Sequence, residues 1–311
     1  GRRQKGYGRG GRMLIEQDWA KIMSGVRHGR TLGSPIGMQI ENKDWVNWLE
    51  AMAIEHVDNP SQEGRNQRVT RIRPGHADLP GTMKYGFDDV RDSLERASAR
   101  ETAARVAAGA VAMALLEEFG IILHSHVISI GSVSSGPVES IDWNMVEDSP
   151  VRCADQEAAQ RMMVAIDAAK EAGDTLGGTV EIVAENVPIG LGSHVHWDRK
   201  IDGLLSQALM SINAVKAVSI GPGWEIIDRP GSEFQDVIEP VTDPDNPWQR
   251  KTNRAGGTEG GMTSGMPLVA RFAIKPIATL HNPLPSVDLD TGERVQAHFE
   301  RSDVCQVPPA G

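Results

Sequence analysis

Between residues 103 and 116 the chain is apolar at every position except Arg105 and Gly109, so no polar face recurs. That run predicts a helix over residues 98–119. Ser98 and Glu101 supply a Ser-x-x-Glu capping box at its start, and Gly120 stops it. A helix apolar on nearly every side is expected to be buried on most of them, at the centre of the fold. Isoleucine and valine recur through residues 121–130 and predict a strand. A second helix is predicted over residues 156–172, with Met162, Met163, Ile166 and Ala169 on one face and Gly173 at its end. Residues 179–184 set Val180 and Ile182 on one strand face and Thr179 and Glu181 on the other. A third helix is predicted over residues 201–216, where Leu204, Leu205, Ala208, Leu209 and Ile212 recur at helical spacing, followed by a short strand over 217–220. Beyond it, polar and proline-rich sequence with Pro222 and Pro230 lasts to Arg250. Residues 255–267, with five glycines, read as a long loop, and a strand follows over 268–274. No internal repeat is visible. Helices and strands without strict βαβ alternation predict an α+β fold rather than a doubly wound sheet.

Composition narrows the class. The 311 residues are 40% hydrophobic and 24% charged, in the range of a globular protein, and the formal net charge of −10 argues against a general nucleic-acid binder. Against that background Arg2, Arg3, Lys5, Arg9 and Arg12 crowd the first twelve residues with no acid among them, a local site for a small polyanion. Cys153 and Cys305 are too few for a disulfide framework and predict a reducing, cytoplasmic setting. The longest apolar run, 106–116, is too short to span a bilayer, so no membrane partner is expected, and no signal segment is visible. The chain opens at Gly1 without an initiator Met and is read as cut there.

Candidate chemistry centres on Arg71-Ile72-Arg73-Pro74-Gly75-His76-Ala77-Asp78. Pro74 fixes its own φ and Gly75 admits geometry closed to other residues, so His76 is expected to hold a set position. Its neighbouring guanidiniums could hold an anion beside a titratable imidazole, the raw material of acid–base chemistry. A solvated surface loop would carry the same residues. Gly6-Tyr7-Gly8-Arg9-Gly10-Gly11 spells GxGxxG, but no strand precedes it and no helix follows, so a dinucleotide fold is not implied. The glycines are expected to let backbone approach a ligand that Arg9 and Arg12 grip; a short RGG-like RNA arm is the alternative. Arg96 and Arg100 flank the capped start of the first helix, where free N–H groups favour an anion. His124/His126 and His194/His196 have the i, i+2 spacing of strand-borne metal ligands. Only Asp198 and Cys153 offer themselves as a third, and no metal is predicted. Lys275 to Thr279 places a cation and a hydroxyl at a strand end, where they suit a phosphate. In Glu300-Arg301-Ser302-Asp303, Arg301 can bind an anion and Asp303 can act as a base.

The segments GRRQKGYGRGGRM, SGVRHGRTLGSPI, RPGHAD, ERASARETAARVAAGA, GDTLGG, GLGSHVHWDRKID, MSINAVK, TNRAGGTEGGM, KPIATL, SVD and ERSDVC occur in that order. Together they resemble chorismate synthase across essentially the whole chain. The resemblance implies a lyase that converts 5-enolpyruvylshikimate 3-phosphate to chorismate and phosphate by anti-1,4-elimination. It also implies reduced FMN as cofactor, with NADPH a candidate reductant, and a homotetramer of α+β sandwiches with helices between two antiparallel sheets. It matches His76 and Asp303 to catalytic positions, His76 protonating the reduced flavin and Asp303 helping remove the C6 proton. Arg3, Arg9, Arg12, Arg100 and Arg301 match substrate-binding positions. Arg96, Ala97, Ser98, Asn213, Ala214, Gly260, Lys275, Pro276, Ile277, Ala278, Thr279 and Arg301 match flavin-contacting ones.

The departures are specific. The family opens with a strand and a Gly-Glu-Ser-His-Gly motif, and it continues in helical sequence past the equivalent of Gly311. The chain is therefore expected to be one catalytic domain over 1–311, truncated at both ends, with slower turnover than a full-length version. Ala217, Ser219 and Pro222 stand where the family commonly has glycine, glutamate and a residue other than proline, which bears on the turn after Asn213. A non-catalytic flavin- or anion-binding remnant of the same family is the alternative function.

Overall fold

A five-stranded antiparallel sheet carries the largest buried cluster of the chain. The computed structural model describes residues 6–10, 19–61, 63–97, 101–136, 140–242, 247–300 and 303–311. In chain order the sheet's strands are β1 (Ile122–Ile130), β2 (Val133–Ser134), β3 (Gly178–Glu185), β4 (Val215–Ile220) and β5 (Leu268–Ile274), arranged β2-β1-β3-β5-β4. The predicted strands at 121–130, 179–184, 217–220 and 268–274 are all present. The helices that position the site are α1 (Asp78–Tyr85), α2 (Arg91–Leu94), α3 (Thr102–Glu118), α4 (Trp143–Asp148), α5 (Gln156–Glu171) and α6 (Ile201–Met210). Among the described residues the remaining strands form two-stranded sheets. The mixture of helices and antiparallel sheets is α+β, as expected.

Strand register sorts the sheet into two faces. Val127, Val180, Phe272 and Val218 stand side by side across β1, β3, β5 and β4. The first three are buried with Ile130 and Ile274 against Met162 and Ile166 of α5. Asp155 caps α5 by accepting the Glu157 and Ala158 N–H groups, which aligns its small-residue face of Ala158, Ala159 and Ala169 with the sheet. One residue along, His126, Glu181, Arg271 and Ser219 form the opposite row. There Glu181 accepts from Arg271 Nε at 2.6 Å and lies 3.1 Å from His126 Nε2. Burial tends to push the Glu181 carboxyl up, but its bonds to His126 and Arg271 outweigh that and lower it. The predicted alternation at 179–184 is thus a core face against an ion-paired one.

Several expectations are corrected. The all-apolar helix α3 is buried only at Ala103, while Val106 and Leu115 are 50% and 61% exposed. It touches β1 and the strand Met38–Ile40, which cover one stripe of it and leave the rest open. Ser98 lies outside the described residues. Glu101 is the N-cap of α3 with no side-chain cap bond, and its carboxylate accepts from Arg105 Nε at 2.9 Å. The third helix ends at Met210, because Asn213 and Ala214 turn the chain into β4, with Ala214 at φ +71°. The stretch 255–267 is a hairpin, Thr258–Glu259 against Met262–Thr263, turned by Gly260 and Gly261 at positive φ. Residues 222–250 hold a 3-10 helix over Gly223–Asp228, a helical turn over Gly231–Phe234 and a hairpin, Ile238–Pro240 with Trp248–Arg250. Among the described residues no helix is long and apolar enough to cross a membrane.

Candidate active site

His76 sits in the turn that leads into α1, after Gly75 at φ +77°. Its Nδ1 lies 2.6 Å from Asp78 Oδ1. Arg73 braces the same carboxylate: its backbone N–H and Nε donate to Oδ2 at 3.0 and 2.9 Å, and Nη2 donates to Oδ1 at 3.2 Å. Arg73 Nη1 also donates to Thr279 Oγ1 at 3.1 Å. Asp78 is fully buried and Arg73 nearly so, whereas His76 keeps 21% of its side chain exposed. Arg73 is therefore committed to internal partners and is not the free anion-binding guanidinium that its place beside His76 suggested. Arg71 is exposed, and its backbone pairs with that of Asp288 in a short antiparallel bridge.

Burial alone would push the Asp78 carboxyl up, but the bonds from His76 and Arg73 outweigh it and hold it down at about 2 against 3.8. A carboxyl lowered on folding adds stability above its unfolded value and loses it as pH falls through the folded one. The window therefore runs from about pH 4 to pH 2. Chemical denaturation across it should show the stability gap between wild type and Asp78→Asn narrowing by roughly 2 kcal/mol. A constant gap would contradict the assignment.

The loop after β5 faces this turn. Lys275 donates its ammonium to the Gly75 carbonyl, and its backbone N–H donates to the Ala214 carbonyl at 3.0 Å. Asn213 Nδ2 donates to the Ala97 carbonyl at 3.3 Å, bringing the segment after α2 alongside. Burial lowers the Lys275 ammonium, and the charge of Lys216 lowers it further. On the far side, Thr175 Oγ1 donates to the Ile277 carbonyl at 2.8 Å, and the neighbouring Leu176 N–H donates to the Val304 carbonyl at 3.0 Å. Two consecutive residues thus join the Lys275–Thr279 loop to the strand-like segment that carries Asp303. Gly177 permits this: a Cβ there would meet the Ile274 carbonyl oxygen and stand 3.0 Å from the Lys275 carbonyl carbon and Pro276 Cδ. Asp303 accepts from the Gly10 N–H at 2.7 Å and from Arg9 Nη1 at 2.8 Å. Glu300 is lowered first by its bond to His298, against burial, and is also acted on by the charges of Arg73 and Arg91.

The fold therefore brings His76, Ala97, Asn213, Ala214, Lys275 to Thr279, Asp303 and Arg9 onto linked loops. Arg96 is exposed beside Ala97. Gly260 turns a hairpin whose bonds run to the 191–201 segment rather than to the His76 turn. Arg3, Arg12, Ser98, Arg100 and Arg301 lie outside the described residues. The sequence named Asp78 and Arg73 only as neighbours of His76, Arg73 as an anion binder, and gave no sign of Thr175. An aspartate two residues after the histidine was the local signal for the first, but the partners of Arg73 and Thr175 lie about two hundred and one hundred residues away.

The histidine pairs do not build a metal centre. His124 and His126 do share a face of β1, but His124 stacks on Trp143 at 4.3 Å between ring centroids and His126 is bound to Glu181. His194 and His196 lie in an exposed loop rather than a strand. Cys153 is buried in the main core, and burial pushes its thiol up. Among the described residues no three His, Cys, Asp or Glu groups cluster around a common point.

A family model described as chorismate synthase matches residues 1–311. The chain belongs to the chorismate synthase family. It is 55% identical over 313 residues to the chorismate synthase of Geobacillus thermodenitrificans and 56% identical over 312 to that of Brevibacillus brevis. It is also 55% identical over 314 residues to that of Symbiobacterium thermophilum. Each alignment covers 99% of this chain and 80% of the relative. A crystal structure of chorismate synthase superposes with a TM-score of 0.71 at 42% identity, over 89% of this chain and 74% of that one. Of the positions expected to depart from the family pattern, Ala217 and Ser219 lie within β4, paired with Ala273 and Arg271, and Pro222 opens the 3-10 helix after it. The strained turn after Asn213 is closed by Ala214 instead.

Proposed function

We propose that the protein is a shikimate-pathway lyase that eliminates phosphate and a C6 proton from 5-enolpyruvylshikimate 3-phosphate to give chorismate, with reduced FMN as cofactor. The observation that carries this reading is the linkage of the His76 turn to the Lys275–Thr279 loop, and of that loop to the Asp303 segment through Thr175 and Leu176, within a chain of this family. A phosphate-bearing ring cofactor fits the donors between those two loops. Lys275 and Lys216 are like charges close enough to oppose each other, which favours an anion beside them, and Asn213 and Arg96 add polar and cationic edges. When bound, reduced FMN supplies electron density to C–O cleavage and recovers it, so the reaction has no net redox change.

The chain's own residues then divide the work. Arg9, with Arg3, Arg12, Arg100 and Arg301 of the same sequence clusters, draws in a substrate bearing one phosphate and two carboxylates. Arg9 is also the partner of Asp303, so the group that meets the anion sits against the base. Asp303 takes the C6 proton, and its bond from Gly10 N–H fixes the carboxylate in place. His76 exchanges a proton with the site at the ring nitrogen turned away from Asp78. Exposed Val106 and Leu115 on α3, with Trp197 and Trp224 elsewhere, favour an assembled state, and a homotetramer is the expected form.

Anaerobic incubation with reduced FMN and 5-enolpyruvylshikimate 3-phosphate should release phosphate and chorismate in equal amounts. Binding of FMN with no chorismate formed would instead make the protein a non-catalytic remnant, a reading nothing in the comparisons favours.

A further inference from the structure

We infer that Asp78 and Arg73 are a positioning pair that fixes His76 with its proton on Nδ1 and leaves Nε2 as the only nitrogen able to exchange a proton with the site. The inference rests on the acid–base reading of His76 above. Two contacts converge on one ring nitrogen: Asp78 Oδ1 at 2.6 Å and Arg73 Nη2 at 3.1 Å. A ring nitrogen carries either one hydrogen or one lone pair, so only one of these is a hydrogen bond. A guanidinium only donates and an ionised carboxylate only accepts. Were the Nδ1 lone pair turned to Arg73, two acceptors would face each other at 2.6 Å. With the hydrogen on Nδ1, the imidazole donates to Asp78 and Arg73 Nη2 donates to the same oxygen at 3.2 Å, and every group is satisfied.

The carboxylate has little freedom to move. Four donors fix it, three of them from Arg73, and it opens α1, where free N–H groups favour a negative charge. Water does not reach it. Arg73 carries the restraint onward, because its remaining Nη1 holds Thr279 in the loop proposed to carry the cofactor. The orientation of the imidazole and the position of that loop are therefore set by one guanidinium. Lys275, bonded to the Gly75 carbonyl, and Glu300, within the field of Arg73, are the other charged groups around the turn. Lys275 is bonded to backbone and Glu300 to His298, so neither competes with Asp78 for Nδ1.

The asparagine variant gives a directional test. Oδ2 receives Arg73 N and Nε at 3.0 and 2.9 Å, and neither can become an acceptor, whereas Oδ1 receives the longer Nη2 contact at 3.2 Å and an imidazole that can switch tautomer, so the amide oxygen belongs at Oδ2. The amide NH2 then occupies the Oδ1 position and faces Nδ1. It demands a lone pair, which moves the ring proton to Nε2. A wrong tautomer in an intact fold is a large loss in acid–base catalysis.

Nitrogen-15 NMR of histidine-labelled protein at mildly alkaline pH, assigned through His76→Gln, reads the tautomer directly. Wild type should show His76 Nδ1 protonated and Nε2 bare, and Asp78→Asn should show the reverse. In the anaerobic assay Asp78→Asn should lose about 10²–10⁴-fold in kcat with KM for substrate within about threefold. Arg73→Lys should keep the Nδ1–H tautomer, since Asp78 still accepts from the ring. A wild-type ring with Nδ1 bare overturns the inference, and that measurement does not depend on the Asp78→Asn variant folding. So does an Asp78→Asn ring that keeps the wild-type tautomer. Full chorismate formation by the His76→Gln variant overturns the acid–base reading beneath it, a failure the tautomer measurement distinguishes.

Discussion

Asp303→Asn should cut kcat for chorismate formation by about 10²–10⁴-fold, the usual loss when a positioned proton acceptor is removed. Asparagine has nearly the same shape and keeps one oxygen, enough to accept from the Gly10 N–H that now holds Oδ1 at 2.7 Å. What it cannot keep is the negative charge 2.8 Å from Arg9 Nη1 or a site for the C6 proton. Both side chains are only 11% exposed, so the charge left on Arg9 is poorly screened and some loss of stability accompanies the loss of rate. The two effects separate experimentally. Rate is measured at saturating substrate and reduced FMN on protein whose thermal unfolding remains cooperative, and a stability change alone leaves kcat of the folded fraction untouched. An Asp303→Asn protein with wild-type kcat would move proton removal to another group.

The ends of this site were legible at different depths. β5 could be read at 268–274 because Leu268 to Ile274 is a closed β-rich run between Pro267 and Pro276, and the observed strand has those bounds. α5 was legible because Met162, Met163, Ile166 and Ala169 recur at helical spacing ahead of Gly173. Burial of α3 was not, since an apolar residue type states what a surface would accept and not which element arrives to cover it. The hairpin at 258–263 hid behind its glycines: Gly260 and Gly261 look like loop sequence and are the turn that lets two very short strands pair. At the site itself, His76 and Asp78 are neighbours in sequence, so their contact could have been found by spacing. Arg73 could not, because a guanidinium between an aspartate and a threonine beyond β5 is a tertiary arrangement. Its sequence neighbours suggested a ligand where the fold supplies a carboxylate.

Gly178→Ala should destabilise the fold by about 3 kcal/mol or more, at the upper end of what overpacking costs. Gly178 opens β3, the central strand of the five, opposite Ile130 of β1 and Ile274 of β5. A Cβ there would run into the Ser129 carbonyl oxygen and stand 3.0 Å from its carbon and 3.1 Å from Ile130 Cα. All of these are backbone atoms, so no side chain can rotate away. β1 already shifts register between Val127 and Ser129, which is how its backbone comes so close. Relief requires β1 and β3 to separate, at the expense of the row Val127–Val180–Phe272 that fills the core. The same movement displaces Gly177 and Leu176, and with them the joint between the Lys275 loop and Asp303. Gly109→Ala makes the matching control. It lies inside α3 with no described atom within 4 Å of the added methyl, so the same substitution should stabilise by about 0.5–1 kcal/mol through helix propensity. Thermal denaturation of the two variants side by side should move Tm in opposite directions. A Gly178→Ala protein as stable as wild type would mean that β1 and β3 are not packed backbone against backbone at this point.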